Sequence, residues 1–128
     1  MGLFTKQDIV LHSGQKTDFK IECDDLSYSD VETLCYLISK RFKFYNAFGV
    51  PNGGIKFAEC LTQYRACVYD TKLPILIVDD VLTTGKSINE FEKAIRPHYI
   101  KKHKVIGVVI FARGKCPSWV TPMFQMWQ

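Results

Sequence analysis

At 128 residues, 47% of them hydrophobic and 23% charged, the chain is the size of one ordinary soluble globular domain, residues 1–128, and long enough to bury a core. No apolar run approaches the roughly 20 residues that a membrane span requires, and Met1 to Val10 lacks a signal-peptide pattern, so the expected location is cytoplasmic, away from membranes. A net charge of +4 suits a polyanionic small molecule as readily as nucleic acid and so selects neither.

The amino-terminal residues up to Glu22 contain two short β-prone pieces around Ser13-Gly14, which predicts a hairpin or a crossed strand pair with the bend at that dipeptide. After the polar turn Cys23 to Ser27, the residues Ser29-Asp30-Val31-Glu32 have capping-box spacing. Val31, Leu34, Cys35 and Ile38 then share one helical face, with Lys40, Arg41 and Lys43 near the carboxyl end, where cations suit the helix dipole. A structural helix is predicted here.

Asn46 to Val50 reads as a short buried strand running into the turn Pro51-Asn52-Gly53-Gly54, followed by a helix through Ile55, Phe57, Ala58 and Leu61. The paired glycines bring backbone N–H groups close to whatever occupies the turn, next to a helix start. By itself this is equally a plain strand-to-helix turn. Ala66 to Tyr69 is expected to form another strand. The connection onward to Ile75 is too short for a parallel crossover, so direct pairing between those two strands would be antiparallel.

Ile75-Leu76-Ile77-Val78 is an unbroken aliphatic run that suits a central parallel strand buried on both faces. Asp79 and Asp80 follow where the strand is expected to end, at the open carboxyl edge of the sheet, since buried unpaired carboxylates are costly. Thr83-Thr84-Gly85-Lys86-Ser87 then leads into a helix marked by Ile88, Phe91, Ala94 and Ile95. A strand, a turn bearing hydroxyls and glycine, and a helix start together form an anion cradle of backbone N–H groups. It is not a Walker A loop, because the Gly-x4-Gly-Lys spacing is absent.

Pro97 is expected to end that helix. The basic residues Lys101, Lys102, His103 and Lys104 read as a solvated linker and not a nucleic-acid patch. Val105 to Phe111 is a second buried-strand run, and Arg113-Gly114-Lys115 follows it near the expected site edge, facing either ligand or water. The tail holds Trp119, Phe124, Met126 and Trp127, so it is expected to be packed or at an interface; with the small size of the chain this makes a homodimer reasonable. The five cysteines, Cys23, Cys35, Cys60, Cys67 and Cys116, are odd in number and lack CxxC or metal-ligand spacing, so they read as reduced thiols.

The stretch Ile75 to Ser87, with four hydrophobics, two acids, a short spacer, Thr-Thr-Gly and a serine, resembles the PRPP-binding signature of the type I phosphoribosyltransferases. Asn52-Gly53-Gly54 resembles the pyrophosphate loop of the same transferases, which often carry Lys or Arg where Asn52 stands; Lys56 would replace that charge but not its geometry. More weakly, Phe4, Leu11, Ser13, Gly14, Lys16, Thr17 and Phe19 resemble the amino-terminal segment of orotate phosphoribosyltransferases, with His12 where a lysine is common. An edge hairpin with a solvated Lys16 explains that segment equally well.

The resemblance implies an α/β three-layer sandwich with a mainly parallel central sheet and a short amino-terminal hood-like segment. It implies transfer of a phosphoribosyl group from PRPP to a pyrimidine or purine base, with release of pyrophosphate. Asp79 and Asp80 would be catalytic, accepting hydrogen bonds from the ribose hydroxyls directly or through Mg2+, which the substrate itself would chiefly hold. Thr83, Thr84, Gly85, Lys86 and Ser87 would bind the 5-phosphate, Asn52, Gly53 and Gly54 would face the pyrophosphate, and Lys16 and Phe19 would border the base. Family members carry a long mobile loop before the signature; here that segment is short, with Arg65 and Lys72 its only cations. A non-catalytic PRPP or nucleotide sensor on the same scaffold is the alternative.

Overall fold

The aliphatic run at Ile75 forms the inner half of a central strand. In the computed structural model, which describes residues 4–10, 16–21, 23–99 and 103–126, with the side chains of residues 4–21, 24 and 99 excepted, this strand spans Ile75–Leu82 (β4). It lies between Asn46–Gly49 (β3) and Val105–Ala112 (β5), and Val120–Gln125 (β6) completes the sheet in the order β3-β4-β5-β6. All three pairings are parallel, with Asn46 opposite Ile75, Ile75 opposite Val105 and Gly107 opposite Val120. Phe4–Val10 (β1) and Lys16–Ile21 (β2) form a separate antiparallel pair, with Phe4 opposite Ile21. The predicted hairpin is thus present, while its expected bend at Ser13-Gly14, together with Leu11 and His12, lies outside the described residues.

Strand periodicity splits the core into two layers. Leu76, Val78, Val108 and Ile110 pack with Tyr28–Arg41 (α1) and Ile55–Leu61 (α2), whereas Ile75, Ile77, Val105 and Val109 pack with Ile88, Phe91 and Ile95 of Lys86–Tyr99 (α3). A three-layer arrangement results, as expected. Wholly buried Ile38, Phe57, Leu61, Leu76 and Ile110 each contribute roughly 1.5–3 kcal/mol through the removal of apolar surface from water. No helix among the described residues is long and apolar enough to cross a membrane.

Helix α1 buries Val31, Leu34, Cys35 and Ile38, the face its periodicity predicted. Its cap lies earlier than expected. Ser27, not Ser29, accepts the N–H of Asp30 at 3.1 Å, and Asp30 Oδ2 accepts the N–H of Ser27 at 3.0 Å. Ser27 and Asp30 have the same three-residue offset as Ser29 and Glu32, and the earlier pair takes the cap because Tyr28 is already helical. At the other end of the chain, α3 continues through Pro97 to Tyr99 and does not stop before it. Proline there removes a single backbone bond in the last turn, while the ion pair between Glu92 and Arg96 spans that turn.

The expected strand at Ala66–Tyr69 is not formed, and β4 has parallel neighbours on both sides. Ala66 makes one bond, its N–H donating to the Phe44 carbonyl at 3.1 Å. Val68 is 74% exposed and has no core face to enter, which removes the reason for a strand. Tyr69 instead meets Tyr45 and His103 edge-on, at 5.0 and 5.4 Å between centroids, and those two rings stack at 4.9 Å. His103 is consequently buried and not part of a solvated linker; its Nδ1 lies 2.8 Å from the Leu73 carbonyl oxygen.

The aromatic tail supplies the edge strand β6, in which Phe124 stacks on Phe111 at 5.5 Å. Pro122 argues against a central strand but is tolerated at an edge. The crossover between β5 and β6 contains no helix and runs through residues 113–119.

Candidate functional site

The geometry begins with a step in the sheet. Strand β4 pairs with β3 only as far as Gly49 opposite Val78, yet stays paired with β5 as far as Leu82 opposite Ala112. Asp79 and Asp80 therefore occupy the strand itself, at the point where β3 leaves it, and not a turn beyond its end. The Val50 N–H donates to the Val78 carbonyl at 2.9 Å, and the chain then folds back through residues 51–54, with the Gly54 N–H donating to the Val50 carbonyl at 2.8 Å. The peptide bond between Pro51 and Asn52 is cis.

This turn is held against the acid pair. A Cβ on Gly53 would overlap the Asp80 carboxylate, and one on Gly54 would overlap the Val78 carbonyl oxygen. Glycine is needed at position 54 because the backbone there meets fixed backbone atoms, while at position 53 any larger residue would displace the Asp80 carboxylate. Asn52 is exposed, Gly53 half-buried and Gly54 buried. Lys56 does not supply the missing loop cation: its ammonium donates to the Cys23 carbonyl at 2.7 Å.

Each carboxylate accepts the N–H of the next residue, Asp79 Oδ1 from Asp80 at 2.8 Å and Asp80 Oδ1 from Val81 at 2.7 Å. Asp79 is only 7% exposed, although sequence logic put both acids at an open edge, while Asp80 is half-buried. Burial, together with the hydrogen bond and charge of Asp80, pushes the Asp79 carboxyl up to about 8. Asp79 is therefore largely protonated at neutral pH and can donate to the neighbouring Asp80 side chain, the more exposed of the two.

On the other side of the pair, β4 runs into Thr83-Thr84-Gly85 and the start of α3. Gly85 has φ +84°, a left-handed conformation that side chains disfavour. The Lys86 N–H donates to Thr84 Oγ1 at 3.3 Å and the Asn89 N–H to the Gly85 carbonyl at 3.1 Å. Thr84, Lys86 and Ser87 are exposed, Thr83 is half-buried and Gly85 is buried. The turn thus presents hydroxyls, an ammonium group and helix-start N–H groups to solvent, an arrangement that suits an anion.

The segment that supports this turn begins at Arg113-Gly114-Lys115, which the sequence placed near the site edge without showing that it packs against the turn. Gly114 sits where a Cβ would overlap the Thr83 carbonyl oxygen, Pro117 lies 3.4 Å from a Cβ placed on Gly85, and Trp119 Nε1 donates to Asn89 Oδ1 at 3.2 Å. The crossover at residues 113–119 therefore lines the back of the anion turn. Its only sequence signal was Gly114 between two cations. Arg113 is buried and its N–H donates to the Leu82 carbonyl at 2.8 Å, while Lys115 is exposed.

Asp79, Asp80, Gly53, Gly54 and residues 83–87 thus gather at the carboxyl edge of the sheet. Lys16 and Phe19 lie on β2, whose side chains are outside the described residues. A cleft of about 450 Å³ opens elsewhere, lined by Tyr45, Arg65, Cys67 and Tyr69 near the amino ends of the strands. It contains none of the acid pair or the two turns.

No protein-family model matches the sequence, and no curated protein matches it. Solved structures do. Orotate phosphoribosyltransferase from Aeropyrum pernix superposes with a TM-score of 0.70 at 21% identity, over 96% of this chain and 88% of that one. Leishmania donovani UMP synthase gives 0.71 at 16% identity, over 97% of this chain and 34% of that one. Orotate phosphoribosyltransferase from Mycobacterium tuberculosis, in complex with PRPP, gives 0.68 at 12% identity, over 96% and 89%. The chain has the type I phosphoribosyltransferase fold in a form close to that of the orotate enzymes.

Proposed function

We propose that this chain transfers the phosphoribosyl group of PRPP to a nucleobase, orotate or another pyrimidine or purine, and releases pyrophosphate. One observation carries the reading: the Asp79–Asp80 pair has a glycine turn against one side and an anion cradle following directly on the other. A sugar with a phosphate at each end matches that order of groups. The similarity in shape to solved orotate phosphoribosyltransferases, one of them a complex with PRPP, supports it.

In this reading Thr83, Thr84, Gly85, Lys86 and Ser87 bind the 5-phosphate, and Asn52, Gly53 and Gly54 receive the pyrophosphate through backbone N–H groups. Asp79 and Asp80 offer oxygens to the ribose hydroxyls, and the Asp80 carboxylate favours positive charge on the ring as the bond from C1 to pyrophosphate breaks and the bond to the base nitrogen forms. The base nitrogen gives up its proton in that step to the departing pyrophosphate or to water, and Lys16 and Phe19 border the base. Asp79 and Asp80 would meet a magnesium ion carried mainly by PRPP oxygens, a hard cation that takes oxygen ligands. Magnesium held in that way would offset negative charge on the pyrophosphate.

The test is to mix protein, magnesium, PRPP and a panel of bases and to follow pyrophosphate. Release with one base supports the transferase. The second reading, a PRPP or nucleotide sensor, is favoured by the short segment between the turn at Thr62–Tyr64 and β4 and by the engagement of Lys56 with Cys23. Binding of PRPP without release for any base establishes the sensor, and absence of binding overturns both readings.

A further inference from the structure

Away from this site, the contact between α1 and α2 holds two thiols together. Cys35 is wholly buried on α1, and its Sγ donates to the Phe57 carbonyl of α2 at 3.5 Å. Cys60 lies three residues beyond Phe57, on the same face of α2, close enough to Cys35 to act on its thiol. Cys60 is only half-buried, and the Gln63 side-chain amide donates to its sulfur at 3.5 Å. Beside the pair, Tyr36 and Tyr64 meet edge to face, with centroids 6.4 Å apart. One thiol is therefore reachable from solvent, while the other lies buried behind it.

Burial, with the neighbouring Cys60 and Glu32, pushes the Cys35 thiol up, and since Cys35 is shut from solvent while Cys60 is only half-buried, Cys60 is the sulfur that meets an oxidant first. We propose that Cys35 and Cys60 are a modification site, joined by a hydroperoxide into a reversible disulfide that ties α1 to α2. The Cys60 thiolate attacks a peroxide oxygen, the O–O bond breaks, and the other oxygen leaves as water or alcohol once protonated. Cys60 is then a sulfenic acid. The Cys35 sulfur attacks it, the S–O bond breaks, and the departing hydroxide takes up the Cys35 proton as water. Two electrons pass from the thiols to the peroxide, and a dithiol reductant reverses the change.

The bond would anchor the helix that begins immediately after Gly53 and Gly54. Any effect on PRPP rests on the proposed function, so the test reads the bond itself. The full chain and a Cys67→Ser variant, which lacks the exposed thiol, are treated with hydrogen peroxide, alkylated and mapped without reduction. Expected is a loss of two hydrogens in both proteins, a peptide cross-link between positions 35 and 60, and recovery with dithiothreitol. In Cys35→Ser, checked for folding by circular dichroism, dimedone should trap a sulfenic acid at Cys60. If that variant does not fold, the map of the unaltered chain decides. Sulfinic acid at Cys60 with Cys35 still alkylatable, or cross-links confined to Cys67 or to pairs of chains, overturns the proposal.

Discussion

Replacing Asp79 with asparagine isolates the cost of burying this carboxyl. Asparagine keeps an oxygen for the Asp80 N–H, which Asp79 Oδ1 now accepts at 2.8 Å, and its amide can donate to Asp80 as the protonated acid does. The Asp79 carboxyl rises from 3.8 in the unfolded chain to about 8 in the fold. Between these values the folded state holds a proton that the unfolded state has lost. The stabilisation is therefore complete below the lower value and disappears as pH rises through the upper one. At about 1.4 kcal/mol per tenfold, the ceiling is roughly 6 kcal/mol, and relaxation and water entry reduce it to about 3 kcal/mol. Urea unfolding of both proteins at about pH 4 and about pH 9 measures it. The variant should match the unaltered chain in acid and exceed it in alkali by about 3 kcal/mol, a midpoint about 1.5 M higher for an m near ~2 kcal/mol/M. A difference between the two proteins that stays constant with pH would refute the burial argument.

Asp79→Asn with Asp80→Asn should abolish pyrophosphate release and weaken PRPP binding with the far-ultraviolet circular dichroism unchanged; undiminished turnover removes the acid pair from the reaction. Gly53→Ala drives a methyl into the Asp80 carboxylate, so PRPP affinity measured by calorimetry should fall by at least about tenfold. Gly85→Ala should cost about 1–2 kcal/mol in urea melts, because φ there is +84°. Ser27→Ala removes the α1 cap and should cost about 1 kcal/mol, whereas Ser29→Ala should cost much less.

Features set by local pattern were legible in the sequence. The aliphatic runs at Ile75 and Val105 and the spacing of Val31, Leu34, Cys35 and Ile38 each have one compact way to leave water, and they take it. Features decided by neighbours were not. Val68 has a strand-forming side chain but no face to cover, Tyr69 packs on Tyr45 and His103 instead of a sheet, and Pro122 sits in a strand because nothing in the described sheet lies beyond it. The cap moved to Ser27 because two serines offered equivalent spacing. At the site, the order of acids, hydroxyls and glycines marked the carboxyl edge of β4. The closeness of Gly53 to Asp80, and of Gly114 to Thr83, depends on residues far apart in sequence and had no local signature. The burial of Asp79 likewise follows from β4 continuing alongside β5 after β3 has left it.

The aromatic stack at the amino edge of the sheet bears on how this scaffold tolerates lengthening. Tyr69 is pinned against Tyr45 and His103 on one side, and the Leu73 carbonyl is held by His103 on the other. Asp70, Thr71 and Lys72 between these anchors are exposed, and Asp70 closes a small turn by accepting the Lys72 N–H at 2.9 Å. Extra residues grafted into that turn leave both tethers in place, and each doubling of a loop adds only about 0.6 kcal/mol of closure entropy. The segment is thus a natural port of entry for engineering a cover over the chain without rebuilding its sheet.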